Sequence, residues 1–270
     1  MSQPCGMTLL ELMIAMTIMV MVVGAMGFLA KGVEQGFQYT EGHDTATQHA
    51  RVALQRIATT VREATANEQF PGFLVVSEDV ATWEFPDTLV VWKSDDSGDG
   101  RPQFNELVIF CPDPSDPNKL VEITVPEDGG DGWKADDQAS WGSKIDSIKN
   151  SPNRKTVVLT DLMRTCSVEG AGGPVRRGAV RFVSRLRPSQ DEWNSYSDPA
   201  DPDYPKPWND LSWVQGIFGS QTGLRQAWVR IELQLMPGKE ALSTDPSGQR
   251  AIPFPGSAAL YYELNRPPEP

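Results

Sequence analysis

The chain has 270 residues, enough for one large domain or two small ones. Its 24 Lys+Arg against 36 Asp+Glu leave a formal charge of −12, which excludes a surface built to grip nucleic-acid phosphates. Only His43 and His49 supply imidazole, both near the start, so an imidazole-dependent active site is excluded from the rest of the chain.

The first element is apolar. Residues 12–30, between Glu11 and Lys31, carry no charge; as a helix they cover roughly 28 Å, about the hydrocarbon thickness of a bilayer. Thr17 is the one clearly polar side chain in the run, and a helix returns its hydroxyl to a backbone carbonyl. A cleaved secretory signal fits less well, because no charged n-region precedes the run and Lys31-Gly32-Val33-Glu34 follows it. Glu11 stands at the edge of this segment, where a carboxylate is costly to bury unless it meets a positive partner.

The stretch Gly6-Met7-Thr8-Leu9-Leu10-Glu11-Leu12-Met13-Ile14-Ala15 resembles the N-terminal processing motif of type IV prepilins and type II secretion pseudopilins. The resemblance implies cleavage between Gly6 and Met7 by a prepilin peptidase, N-methylation of Met7 by a methyltransferase, and pairing of Glu11 with the terminal amine of a neighbouring subunit. Opposite charges attract strongly in a low-dielectric medium and offset part of each other's desolvation. The sequence departs from the family pattern in places: the leader, residues 1–6, has no Lys or Arg, Met7 replaces the commoner Phe, and Phe28 stands where major pilins often carry Pro. Cys5 leaves with the leader.

After Lys31 the helical pattern continues to about residue 66. Ala46, Ala50, Ala53, Leu54, Ile57, Ala58 and Val61 recur at three- and four-residue steps, with Arg51, Gln55, Arg56 and Arg62 off the stripe. Gly32, Gly36 and Gly42 predict a bend or frayed turn between the two halves. The segment from Ala50 to Ala64 resembles, more loosely, the helix of large minor pilins and J-type minor pseudopilins. His43 and His49, six residues apart, do not share a helix face and are read as solvent-facing.

From Pro71 the chain reads as strands and turns, with Gly 23 and Pro 22 in total favouring a loop-rich β architecture. Dense apolar runs at 88–92, 106–110, 119–125 and 155–159 suit buried strands, and 180–187 and 227–235 alternate apolar with polar residues. One sheet face is expected to pack on the amphipathic helix and the other to meet water or a partner. Residues 189–210 read as a surface insertion, and the acidic stretch 127–132 as a solvated turn. The fold class expected is α+β: a long transmembrane and amphipathic helix (7–30, then 31–66) on a mainly antiparallel, pilin-like β domain (67–270).

Two constellations bear on chemistry. Asp95, Ser97, Asp99, the Arg101 carbonyl and Glu106 take the one-three-five-seven-twelve spacing of a calcium loop, with Gly100 at the turn; the competing reading is a polar hairpin closed by Asp and Gly turn chemistry. Cys111 and Cys166 remain after processing and either pair, in a disulfide-permissive compartment, or stay as free thiols.

No G-x-S-x-G, H-E-x-x-H or Cys/His pairing supports a tethered hydrolase. The resemblance implies a non-enzymatic filament subunit: a minor pseudopilin of a type II secretion system near the filament tip, or alternatively a minor pilin, adhesive or calcium-binding, of a type IV pilus. No cofactor is expected beyond calcium. The implied partners are other pseudopilins or pilins, the processing enzymes, an inner-membrane assembly platform and the lipid bilayer. The implied location is the bacterial inner membrane, with one pass and the globular domain in the periplasm or on the filament.

Overall fold

A computed structural model describes residues 8–126, 138–170, 172–211, 224–238 and 251–263. One unbroken helix, α1 (Leu9–Arg62), carries the apolar run and the amphipathic stripe together; at 54 residues it is about 81 Å long. The helix runs without a frayed turn through Gly32, Gly36 and Gly42. The helix stops four residues short of the expected limit. The Glu63 amide closes the last turn on Thr59, and the Thr65 amide instead donates to the Trp92 carbonyl at 2.8 Å.

The α1 stripe buries Ala46, Ala50, Ala53, Ile57, Ala58 and Val61. Its alanines let strands approach closely. Arg56, off the stripe, reaches back: its Nε and Nη2 donate to the Glu122 carboxylate at 2.7 and 2.6 Å, clamping α1 to the sheet. Glu122 holds the Arg56 pKa above its ordinary value.

Five strands form an antiparallel meander in chain order: β1 (Phe73–Val80), β2 (Trp83–Trp92), β3 (Leu107–Pro112), β4 (Leu120–Thr124) and β5 (Lys155–Thr160). Its inner strands are apolar on both faces, as the dense runs imply. Leu89, Val91, Val108 and Phe110 join the core under α1, while Val90, Trp92, Leu107, Ile109 and Cys111 point the other way. The expected open face belongs to the three-stranded sheet further along the chain; on this sheet the second face is covered from within the chain. A helix that the sequence pattern did not reveal, α2 (Gln138–Lys149), covers it with Trp141, Ile145 and Ile148.

A hairpin of β6 (Thr165–Gly170) and β7 (Gly173–Gly178) leads into a three-stranded antiparallel sheet of β8 (Val180–Arg187), β9 (Leu224–Leu235) and β10 (Ile252–Glu263), ordered β10-β9-β8. Val180, Phe182, Ala227, Val229, Ile231, Leu233 and Leu235 close the α1 core from this side. Two close approaches fix the packing of α1. A Cβ on Gly42 would lie 1.9 Å from the Pro237 carbonyl oxygen, and one on Gly256 would lie 2.8 Å from Leu54 Cδ2. The insertion before β9 holds a short helix, α3 (Gln190–Ser197), and its own cluster of Trp193, Trp208 and Leu211, with Tyr196 packed alongside.

Candidate functional site

The first half of α1 leaves the domain bare. Leu9, Leu10, Met13, Met16, Met19, Val20, Val23, Met26, Phe28 and Leu29 are all at least 60% exposed, and they point in every direction around the helix. A helix that is apolar all round fits a bilayer or a bundle of like helices and not water. Among the described residues α1 is the one helix long and apolar enough to cross a membrane. Thr17 returns its hydroxyl to the Met13 carbonyl at 2.8 Å, so the one polar side chain in the run brings no unmet hydrogen bond into the apolar phase.

Glu11 occupies the first turn. Thr8 is the N-cap, with φ −76° and ψ 151°; its backbone N–H and its hydroxyl donate to Glu11 Oε2 at 2.9 and 3.1 Å, and the Glu11 amide donates to Thr8 Oγ1 at 3.3 Å. This reciprocal capping box holds the carboxylate at the positive end of the helix dipole, next to the chain that precedes the helix. Thr8 is the residue that sequence reasoning did not single out. The Thr-x-x-Glu spacing ahead of an apolar run is the signal that finds it. Gly6 and Met7, the residues expected to flank the cleavage site, lie outside the described residues.

In the loop 95–106 the side chains of Asp95, Ser97, Asp99 and Glu106 bond within the loop. Asp95 accepts from the Gly98 amide through Oδ1 at 2.9 Å and from the Gly100 amide through Oδ2 at 3.1 Å. Asp99 accepts from the Arg101 amide at 2.9 Å and from Gln103 Nε2 at 3.3 Å. Glu106, 2% exposed, accepts from the Ser97 amide at 2.9 Å, the Gln103 amide at 3.0 Å and Trp92 Nε1 at 3.1 Å. Burial pushes the Glu106 pKa up, but the Gln103 and Ser97 amides outweigh it and the net direction is down. Among the described residues no three His, Cys, Asp or Glu side chains are grouped to hold a metal ion. The arrangement is a hydrogen-bonded turn tied to the core through Trp92.

The cysteines do not pair. Both are free: Cys111 is buried in the core under α2, with its thiol pushed up to about 12 by burial, and Cys166 lies on the β6–β7 hairpin, 3.8 Å from the Arg177 carbonyl. The alternation of β3 decides this, because it aims Cys111 into the α2 core. The histidines are half-buried, not solvent-facing; His49 Nδ1 sits 3.2 Å from Thr160 Oγ1 on β5.

On the globular domain a pocket of about 380 Å³ lies between α2, β2 and β7, with Asp87, Lys149 and Arg177 in its lining. Its charges serve the fold. Arg177 makes a two-pronged ion pair with Glu78 and comes within 3.8 Å of Asp87, while Lys149 donates to Thr88 Oγ1 at 2.8 Å and Thr88 donates to Asp87 at 3.0 Å.

The most informative feature is therefore the N-terminal one, and comparison with known proteins agrees. Residues 1–27 match the family model described as the prokaryotic N-terminal methylation motif, the signature of type IV prepilin-like proteins, pseudopilins included. The long apolar helix followed by antiparallel sheets fits the pilin-like α+β layout, and helix and motif together fit a single-pass membrane anchor. The motif implies processing by a prepilin peptidase and assembly with other pilins. Neither a curated protein nor a solved structure matches the chain.

Proposed function

We propose that the chain is a non-enzymatic filament subunit, a minor pseudopilin of a type II secretion system. It is cut between Gly6 and Met7, methylated on Met7 and packed into a short filament through α1. The observation that carries this reading is the coincidence of the methylation motif with a helix half that is bare and apolar on every side. The domain buries one stripe of α1, from Ala46 to Val61, on its own. The preceding half gains its burial from lipid before assembly and from neighbouring helices after it.

Glu11 is the assembly residue in this scheme. Among the described residues its carboxylate is held by Thr8. A neighbour's methylated amine offers a full positive charge in its place, a stronger partner than a neutral donor in a low-dielectric medium. Glu11→Ala should leave cleavage and membrane insertion intact while abolishing incorporation into filaments, read by shearing or cross-linking of the assembled fraction. Incorporation at the native level would refute the role of Glu11. Deleting the gene separates the two machineries: loss of exoprotein secretion supports the pseudopilin, and loss of twitching or attachment supports a type IV minor pilin.

A further inference from the structure

On a chain of net charge −12, one surface runs against the trend. The outward positions of β8 are Arg181, Val183, Arg185 and Arg187, all exposed. None of the three arginines has an ion pair among the described residues; the one salt bridge on this face joins Arg230 and Glu232 of β9 at 2.6 Å. Exposed Val183 (37%) and Tyr261 (57%) add apolar and aromatic surface. We propose that this outer face of the β8–β9–β10 sheet docks an acidic patch on the globular domain of a neighbouring, different subunit of the same filament. The inference rests on the filament-subunit reading above.

The direction of the face argues for a lateral protein partner. Gly42 of α1 lies against Pro237, just beyond the end of β9, and Leu54 lies against Gly256 of β10, so the strands run along the helix. With α1 crossing the bilayer, the arginine face looks sideways, where neighbouring domains stand, and away from the lipid surface. A second copy meeting it face to face would oppose arginine to arginine, a like-charge contact costly at any interface. β9 and β10 have 12 residues each and β8 has eight, so the sheet face spans roughly 520 Å², which matches one side of a modest transient interface. Exposed arginines, with Trp228 of β9 opposite Arg185, are also the composition that interface centres favour.

Charges on an edge strand such as β8 can also serve only to block stray strand pairing. The two roles separate experimentally, since glutamates would block pairing equally well and would repel an acidic partner. The full-length chain is expressed in its own cells with a photo-cross-linking phenylalanine at Val183, or at Val23 on α1 as a reporter of assembly. The Val183 probe should capture another protein bearing a prepilin-type N-terminus, at an acidic site. The yield should fall about tenfold or more in Arg181→Glu/Arg185→Glu/Arg187→Glu and recover in the triple lysine variant, while the Val23 probe still cross-links in all three. The proposal is overturned if the Val183 probe captures no such subunit, captures a second copy or lipid, or is unaffected by the glutamates while Val23 cross-links persist. Loss of Val23 cross-links in the wild type removes the filament reading itself, and this docking surface with it.

Discussion

Glu78 and Asp87 sit on neighbouring strands and share Arg177, yet they answer acid in opposite ways. The Arg177 guanidinium holds the Glu78 carboxyl below its ordinary value of 4.5, so the pair adds stability above that value and loses it as pH falls through the lower, folded one. Burial raises Asp87, so its protonation on acidification relieves a cost instead. Glu78→Gln should accordingly flatten the acid side of the stability profile: below about pH 4.5 the variant's thermal midpoint should fall less steeply than the wild type's. Parallel profiles would contradict this. The turn of Asp95, Asp99 and Glu106 gives a second test. Its carboxylate oxygens already accept from loop amides, the Gln103 side chain and Trp92, so millimolar calcium should produce neither calorimetric heat nor a shift in melting. Ligand spacing in a sequence names candidate oxygens but not the amides that reach them in the fold. Glu11 was legible, since an acid at the edge of an uncharged run needs an explanation. Its cap, Thr8, uses backbone geometry that the apolar pattern overshadows.

The elements divide by how much of their pattern is local. The α1 stripe repeats with a clear period and β2 to β5 hold dense apolar runs, and the structure places them within a few residues of the reading. Helix α2 was missed although Trp141, Ile145 and Ile148 follow helical spacing, because it is short, contains Gly142 and follows an acidic, Gly-rich run. Strand β10 was missed because Pro253, Pro255 and Gly256 read as breakers; it is an edge strand, where a proline without an N–H is tolerated. The glycines of α1 separate in the same way. A Cβ on Gly36 would have no other atom within 4 Å, whereas one on Gly42 would strike the Pro237 carbonyl. Gly36→Ala should therefore leave stability unchanged or raise it by up to about 1 kcal/mol, and Gly42→Ala should lower it by about 1–3 kcal/mol, both read by chemical denaturation in detergent. Equal effects would show that the helix does not seat on Pro237 as described.

For the whole molecule, one helix does two jobs in sequence. Its second half completes a core that both sheets share, and its first half is left for an apolar environment outside the domain. This division was readable from charge alone, since uncharged residues 12–30 give way to a stripe flanked by arginines. The outer arginine face of β8 was less legible, because it depends on which side of a strand the three-stranded sheet turns outward. Membership of a filament turns first on where the mature chain starts. Intact-mass and N-terminal peptide mass spectrometry of the membrane-extracted protein should find a chain lacking residues 1–6 and beginning at N-methylated Met7. An intact Met1 in protein that still supports its filament would contradict that processing and the assembly built on it.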